Sequence, residues 1–244
     1  MVSDIIGESL NYLPYIKTYN NKVLKVSYAF INLTGFELSE LMGMEINKVC
    51  TMLRLHCEYG LNKVKKNKTY YLFTKNHQPR EVTIIQYCGL IPEEEIYVFL
   101  ETPNSRLEDT LPYVHQYCFN ELFGFAVMSI PERIILMANQ YFYDLVSEYQ
   151  IEYKYFLGMK IDELIKECIF SFDLWSVLKK IRYGTTVQLK EVFIEQPSKG
   201  IMYYDILIIP IVFANKVKYC LFHVYDVTDK VLLKQASRNV YYYI

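Results

Sequence analysis

Hydrophobic and polar positions change period twice within the first hundred residues. Two short apolar runs, 13–19 and 23–26, flank Asn20-Asn21 and predict a β-hairpin. Helical spacing follows over 28–33 and 38–42, broken by Thr34-Gly35 and closed by Gly43. Period-two runs rich in Tyr, Phe, Val and Ile then return over 69–74, 81–87 and 95–100, with Asn76-His77-Gln78-Pro79 and Pro92-Glu93-Glu94 as turns. The predicted order is two strands, several short helices, three strands.

The same order recurs downstream. Residues 124–130 and 133–137 predict a second hairpin about Pro131-Glu132, and helical pieces follow over about 140–145 and 162–168. Residues 173–183 place Leu174, Val177, Leu178 and Ile181 at helical spacing. Strands over 187–195, 201–213 and 217–226 close the unit, turned by Pro197-Ser198-Lys199-Gly200 and Asn215-Lys216. Local similarity supports a repeat, because Leu41-Met42-Gly43-Met44-Glu45-Ile46 returns as Phe156-Leu157-Gly158-Met159-Lys160-Ile161.

Between the units, Pro103-Asn104-Ser105 ends the first, and 107–122 predicts one helix with Pro112 in its first turn. Leu111, Val114, Cys118 and Leu122 lie along one side, a stripe for packing on a sheet or against a second chain. A last helix begins at Thr228 and runs to about Arg238. The expected organisation is a first domain over 1–104, a linker helix over 105–122, a second domain over 123–230, and an outgoing helix from 231 to 244.

Composition narrows the functions. With 52% hydrophobic and 22% charged residues the 244-residue chain is an ordinary packed protein, long enough for two domains. Lys and Arg number 26 against 27 Asp and Glu, so no basic field draws the chain to nucleic acid. No apolar run reaches membrane-spanning length, and Met1-Val2-Ser3-Asp4 lacks a signal peptide's basic flank; the expectation is a cytoplasmic protein without membrane insertion. Cysteines 50, 57, 88, 118, 168 and 220 never form a C-x-x-C, so reduced thiols are expected and no metal site.

The residues resemble PAS sensor domains, and do so twice. Residues 22–30, then Leu33-Thr34-Gly35-Phe36 and Leu38-Ser39-Glu40-Leu41-Met42-Gly43, are similar to the family pattern N-x-A-F, L-T-G-Y and E-E-L-x-G, with Ser27 where the family prefers Asn. The second unit keeps that Asn as Asn139 and the Phe as Phe142, loses the T-G-Y part, and carries what looks like an insertion over 149–155. Its end, Asp226-Val227-Thr228-Asp229-Lys230, resembles the D-I-T-E-R sequence where a PAS domain passes into a signalling helix, whereas the first unit ends in Glu101-Thr102-Pro103. The resemblance implies an α+β fold of two PAS-like domains, each a five-stranded antiparallel sheet with short helices on one face and a cavity between them. It also implies a cytosolic bacterial signalling protein that acts on an output module such as a histidine kinase.

Candidate chemistry is sparse. Histidines 56, 77, 115 and 223 are scattered and no catalytic motif occurs, so no enzyme activity is expected. Flavin-binding relatives carry N-C-R-F-L-Q after the glycine matching Gly43, where this chain reads Met44-Glu45-Ile46-Asn47-Lys48-Val49-Cys50; His56 falls where haem-binding relatives place a ligand, but beside Cys57-Glu58 it reads as a surface histidine. The expectation is no cofactor and a colourless protein. Alternation puts Met202, Tyr204, Ile206 and Ile208 on one sheet face with Cys220, Phe222 and Val224, opposite Trp175 and Leu178 on the helix. Trp175, Leu178, Tyr204, Ile206, Ile208 and Phe222 are the candidate lining of a small-molecule cavity. Tyr203, Leu207, Ile209, Leu221, His223 and Tyr225 make the opposite face apolar too, and the 107–122 helix or a second chain is expected to cover it. Asp226 and Thr228 are the candidate coupling residues, each able to bond backbone N–H groups at the junction, with Lys230 a partner for Asp226. Two readings follow: a ligand or partner sensor that forms a homodimer, or a ligand-free PAS assembly module that dimerises an output domain.

Overall fold

Asn20 and Asn21 both adopt positive φ, 50° and 61°, the conformation a tight two-residue hairpin turn requires. They join β1 (Tyr15–Tyr19) to β2 (Lys22–Val26). In the computed structural model, which describes residues 12–55, 61, 68–89, 91–118, 122–146, 152–166, 168–196 and 198–240, this hairpin begins the first of two compact units, 1–112 and 113–244.

In the first unit, α1 (Tyr28–Thr34), α2 (Leu38–Leu41) and α3 (Ile46–Met52) follow the hairpin, and β3 (Thr69–Phe73), β4 (Pro79–Cys88) and β5 (Glu94–Arg106) complete an antiparallel sheet ordered β2-β1-β5-β4-β3. Ser27 caps α1, its Oγ accepting from Phe30 N–H at 3.1 Å, and Gly35 ends it at φ 74°. The apolar face of these helices and one face of the sheet share a core that includes Ile16, Phe30, Val49, Leu72 and Phe99. The Phe30 and Phe99 rings meet at 4.9 Å.

Past Leu100 the structure departs from the sequence reading. β5 continues to Arg106, which pairs with Arg80, and Pro103 falls in the irregular stretch between that pair and Val82↔Glu101, where its missing N–H breaks no ladder bond. The single linker helix expected over 105–122 is two short ones, α4 (Leu107–Thr110) and α5 (Val114–Cys118). Leu111 stands between them at φ −132° and ψ 70°, because the ring of Pro112 disfavours helical backbone in the residue before it. The expected stripe is broken with it, and Leu122 is 81% exposed.

The second unit adds β6 (Gly124–Ser129), β7 (Ile135–Ala138), α6 (Gln140–Val146), α7 (Tyr153–Phe156), α8 (Ile161–Leu164), β8 (Ile169–Phe170), α9 (Leu174–Arg182), β9 (Val187–Gln196), β10 (Gly200–Phe213), β11 (Lys216–Asp226) and α10 (Thr228–Val240). Its sheet is antiparallel with order β7-β6-β11-β10-β9-β8. Apart from the two-residue β8, which pairs with Ile194 and Glu195 in a stretch the sequence reading left unassigned, the order repeats that of the first unit.

The repeat extends to single hydrogen bonds. Gly43 (φ 73°) donates to Val23 O at 2.9 Å and Val23 donates to Met44 O; Gly158 (φ 92°) donates to Ile135 O at 2.8 Å and Ile135 donates to Met159 O. A glycine is needed at both places because the left-handed backbone turns the chain onto the edge of the hairpin. Ser27 Oγ accepts from Tyr15 N–H and Phe30 N–H, and Asn139 Oδ1 accepts from the matching Phe125 and Phe142. Asn139 also donates through Nδ2 to Phe123 O at 2.7 Å, its amide nitrogen acting beside the accepting oxygen.

β9 holds one residue more than its partner. Val192 pairs with Tyr204 and Leu189 with Ile206, leaving Lys190 and Glu191 opposite Asp205 alone. Glu191 takes φ 47° in this bulge and donates its N–H to Asp205 Oδ1 at 2.7 Å.

Candidate functional site

Along β10 and β11 the side chains alternate as a half-buried sheet demands. Tyr204, Ile206, Ile208, Cys220, Phe222 and Val224 are buried toward the helices, while Tyr203, Leu207, Ile209, Leu221 and His223 are half-buried on the other face. Tyr204, Ile206, Ile208 and Phe222 line a cavity of ≈ 70 Å³ between the sheet and helices α6, α8 and α9. Phe142, Ile161 and Leu174 close it from the helical side, and Ile194 reaches it from β9 because the bulge restores the inward face there.

Two expected lining residues are elsewhere. Asp173 caps α9, its Oδ1 accepting from the N–H groups of Trp175 and Ser176 at 3.0 and 3.2 Å, which starts the helix with Leu174 turned inward. Trp175, about 100° further round the helix, is 58% exposed and its ring lies 5.4 Å from the Arg133 guanidinium carbon. Leu178 is buried but borders a separate groove of ≈ 170 Å³ with Trp175, Arg133 and Pro131, not the cavity. Arg133 is held there by a bidentate ion pair to Asp162, with bonds of 2.6 to 3.0 Å. Leu174, four residues before Leu178, was legible from helical spacing; Phe142 and Ile194 carried no such signal.

Every lining side chain but one is a hydrocarbon. The exception is Tyr204, 1% exposed, whose hydroxyl finds no hydrogen-bond partner among the described residues. Burial first, then the nearby charge of Asp226, raises its pKa above the ordinary tyrosine value, so the hydroxyl keeps its proton. Tyr141 lies near the same two groups; burial and Asp226 raise it, against a hydrogen bond with the Asp226 backbone.

Tyr204 is paired in register with Asp226, the last residue of β11. Asp226 Oδ1 accepts from Thr228 N–H at 2.9 Å, the local cap expected of it. Thr228 bonds across the sheet instead: its Oγ1 accepts from Tyr203 N–H at 2.9 Å, and Val227 N–H donates to Tyr203 O at 2.8 Å. Lys230 does not pair with Asp226; its ammonium is 4.0 Å from Glu191, which also bonds Lys234 at 2.9 Å. The bulge therefore aims a carboxylate at α10, and two lysines one helical turn apart receive it.

The opposite face is covered partly from within the unit. Tyr117 of α5 stacks on Phe125 at 5.1 Å, and Phe123 stacks on His223 at 5.1 Å. Burial among these rings lowers the pKa of His223 below its ordinary value. Val231 of α10 is buried as well.

Among the described residues no group of three or more His, Cys, Asp or Glu is placed to hold a metal ion. Cys50 and Cys220 are buried and not disulfide-bonded, and burial pushes the Cys220 thiol up. His56 and Cys57 lie outside the described residues, as do 149–151 of the expected insertion over 149–155, whose remainder enters α7. No described helix is long and apolar enough to cross a membrane.

No protein-family model and no curated protein matches the sequence. Solved structures do. The PAS domain of nitrogen regulation protein NR(II) from Vibrio parahaemolyticus is 14% identical, matches 46% of this chain and 94% of its own, and superposes with a TM-score of 0.35. A sensory box sensor histidine kinase from Vibrio cholerae is 19% identical over 50% of this chain and 93% of its own, TM-score 0.33. An RNA-binding light-oxygen-voltage receptor is 12% identical and matches 92% of this chain and 99% of its own, TM-score 0.39. The class of fold rests on topology: an antiparallel sheet that begins with an edge hairpin, carries its final long strand in the middle, and holds short helices on one face. That is the PAS-like arrangement which the sequence resemblance implies, and this chain contains it twice.

Proposed function

We propose that the second unit is a sensory module, in which occupancy of the cavity between helices and sheet sets the position of α10. One observation carries this reading: Tyr204, the single lining residue with a polar side-chain atom, is paired with Asp226 and is the neighbour of Tyr203, whose backbone N–H bonds Thr228, the first residue of α10, and whose C=O bonds Val227 just before it. A change at the Tyr204 ring reaches the helix through one residue of strand. The effect is a shift between two arrangements of an existing junction, sized by the difference in a ligand's affinity for them. The output we expect α10 to act on is a histidine kinase in a cytoplasmic signalling protein, with a second copy of the chain as partner; the family resemblance supports that choice. Catalysis is no part of the reading, since a cavity lined by hydrocarbon side chains and one tyrosine ring supplies neither a nucleophile nor an acid–base pair.

The test fills the cavity from within. Val224 lines it, so Val224→Phe puts a ring into the space a ligand would take. Amide hydrogen exchange over 228–240 should change by roughly tenfold or more against the unsubstituted chain while the β10 and β11 amides stay protected. Unchanged exchange in α10 with the sheet intact would remove the sensory reading and leave a packed assembly module.

A further inference from the structure

Trp175 is the only tryptophan in the chain, and more than half of it is exposed. Lys179 and Arg182 follow it on α9 at steps of four and three residues, which brings the three side chains to one side of the helix. Together with Ile130, Pro131 and Arg133, from the turn between β6 and β7, they line the groove of ≈ 170 Å³ that lies apart from the cavity. The Lys179 and Arg182 side chains are exposed and make no hydrogen bond or ion pair among the described residues. Arg133 bonds Asp162 through Nε and Nη2 and keeps Nη1 outside that pair. Among the described residues no carboxylate lines the groove. We infer that the groove binds a small organic anion built on one flat ring, such as an aromatic carboxylate, with the ring against Trp175 and the negative group at Lys179 and Arg182. This site is independent of the sensory reading of the cavity.

Helix electrostatics explains part of this arrangement and not the rest. Cations in the last turn of α9 complement its carbonyl end, so Lys179, Lys180 and Arg182 suit that position in a protein that binds nothing. The same argument does not bring Arg133 in from another element, nor does it leave the Trp175 ring of the same groove open to solvent. The ring and Pro131 offer stacking and apolar contact, which a flat ring uses best. The cations offer charge-assisted hydrogen bonds to an anionic oxygen. A cationic ligand is repelled. A neutral ring uses only the first half of the groove, and an inorganic anion uses only the second, where water and salt screen it. Size sets the upper limit: ≈ 170 Å³ is below the roughly 300 Å³ at which pockets for drug-sized molecules begin, so a single ring is the fit.

Benzoate, benzyl alcohol and sulfate are the probes: ring with charge, ring without charge, and charge without ring. Because Trp175 is the only tryptophan, its fluorescence and its indole N–H resonance report binding at this groove in titrations of the full chain. Benzoate should bind in the millimolar range that a one-ring ligand allows, and about tenfold more tightly than either benzyl alcohol or sulfate. Replacing both exposed cations, Lys179→Gln with Arg182→Gln, should weaken benzoate about tenfold and leave benzyl alcohol unchanged. Trp175→Leu, followed through the δ-methyl resonance of Ile130, should weaken benzoate severalfold and leave sulfate unchanged. Benzyl alcohol or sulfate binding as tightly as benzoate, a benzoate affinity that survives the loss of both cations, or Trp175 signals that respond to no probe would each overturn the assignment. The Val224→Phe exchange experiment concerns the cavity alone, so either proposal can fail while the other stands.

Discussion

Asn139 and Ser27 occupy one position in two copies of a fold and do unequal work. Both tie a strand to the helix that follows it; Asn139, 1% exposed, also donates through Nδ2 to Phe123 O. Asn139→Ala should lower the stability of the second unit by about 2 kcal/mol or more, because two backbone N–H groups and a carbonyl lose partners in a dry setting, while Ser27→Ala should cost the first unit roughly 1 kcal/mol. Urea denaturation of each variant measures this, and equal losses would contradict it. His223 gives a second test. Burial lowers its pKa in the folded state from 6.5, so between 6.5 and the folded value the unfolded chain binds a proton that the folded one refuses. Stability is therefore greatest above pH 6.5 and falls as pH drops through it. Urea midpoints at pH 7.5 and 5.5 should differ less in His223→Phe, which suits the rings of Tyr117, Phe123 and Phe125, than in the unsubstituted protein; the same pH loss in both would dismiss His223 as its source.

The elements differ in how plainly the sequence announces them. The hairpin turn at Asn20-Asn21 consists of residues whose backbone goes left-handed readily, Asn215 marks the second turn although it falls at Ala214-Asn215 and not at the expected Asn215-Lys216, and β10 and β11 alternate over their whole buried length, so these were legible. The cavity's sheet wall came with them, since Tyr204, Ile206, Ile208 and Phe222 follow from alternation alone. Its helical wall did not. Choosing Trp175 over Leu174 is an error of one residue, yet on a helix one residue is a quarter turn, and it exchanges cavity for solvent. The 107–122 stretch was misread for a different reason: its apolar spacing suits one helix, and the backbone restriction that Pro112 places on Leu111 overrides the spacing. β8 was illegible, because two residues carry no period.

As a whole molecule the chain is one plan executed twice with different endings. Both units use the edge hairpin, the Gly43 or Gly158 turn and the Ser27 or Asn139 tie, so the order of elements survives where individual residues have diverged. What distinguishes the second unit is its departure from the sheet. β11 passes through Asp226 and Thr228 straight into α10, whereas β5 bends through Pro103 and stops at the two short helices before and after Pro112. A sequence shows such an asymmetry only through its junction residues, and here Asp226-Val227-Thr228 marked it correctly while giving no sign that Glu191, thirty-odd positions earlier, reaches the same helix.

Glu191 is, in effect, a spare letter in β9. Strike it out and the strand spells a regular line: Val187, Leu189, Val192 and Ile194 fall inward by simple alternation, with Lys190 and Phe193 outward. The bulge is thus an inserted character that the fold absorbs without losing its place, and its side chain addresses α10. Deleting Glu191 should leave the cavity spelled as before, with the Ile206 and Ile208 methyl environments nearly unchanged, yet speed amide exchange in α10 severalfold as Lys230 and Lys234 lose their shared carboxylate. A deletion that collapsed the sheet, or one that left α10 exchange untouched, would show that the extra residue belongs to the sheet's own syntax and carries no message to the helix.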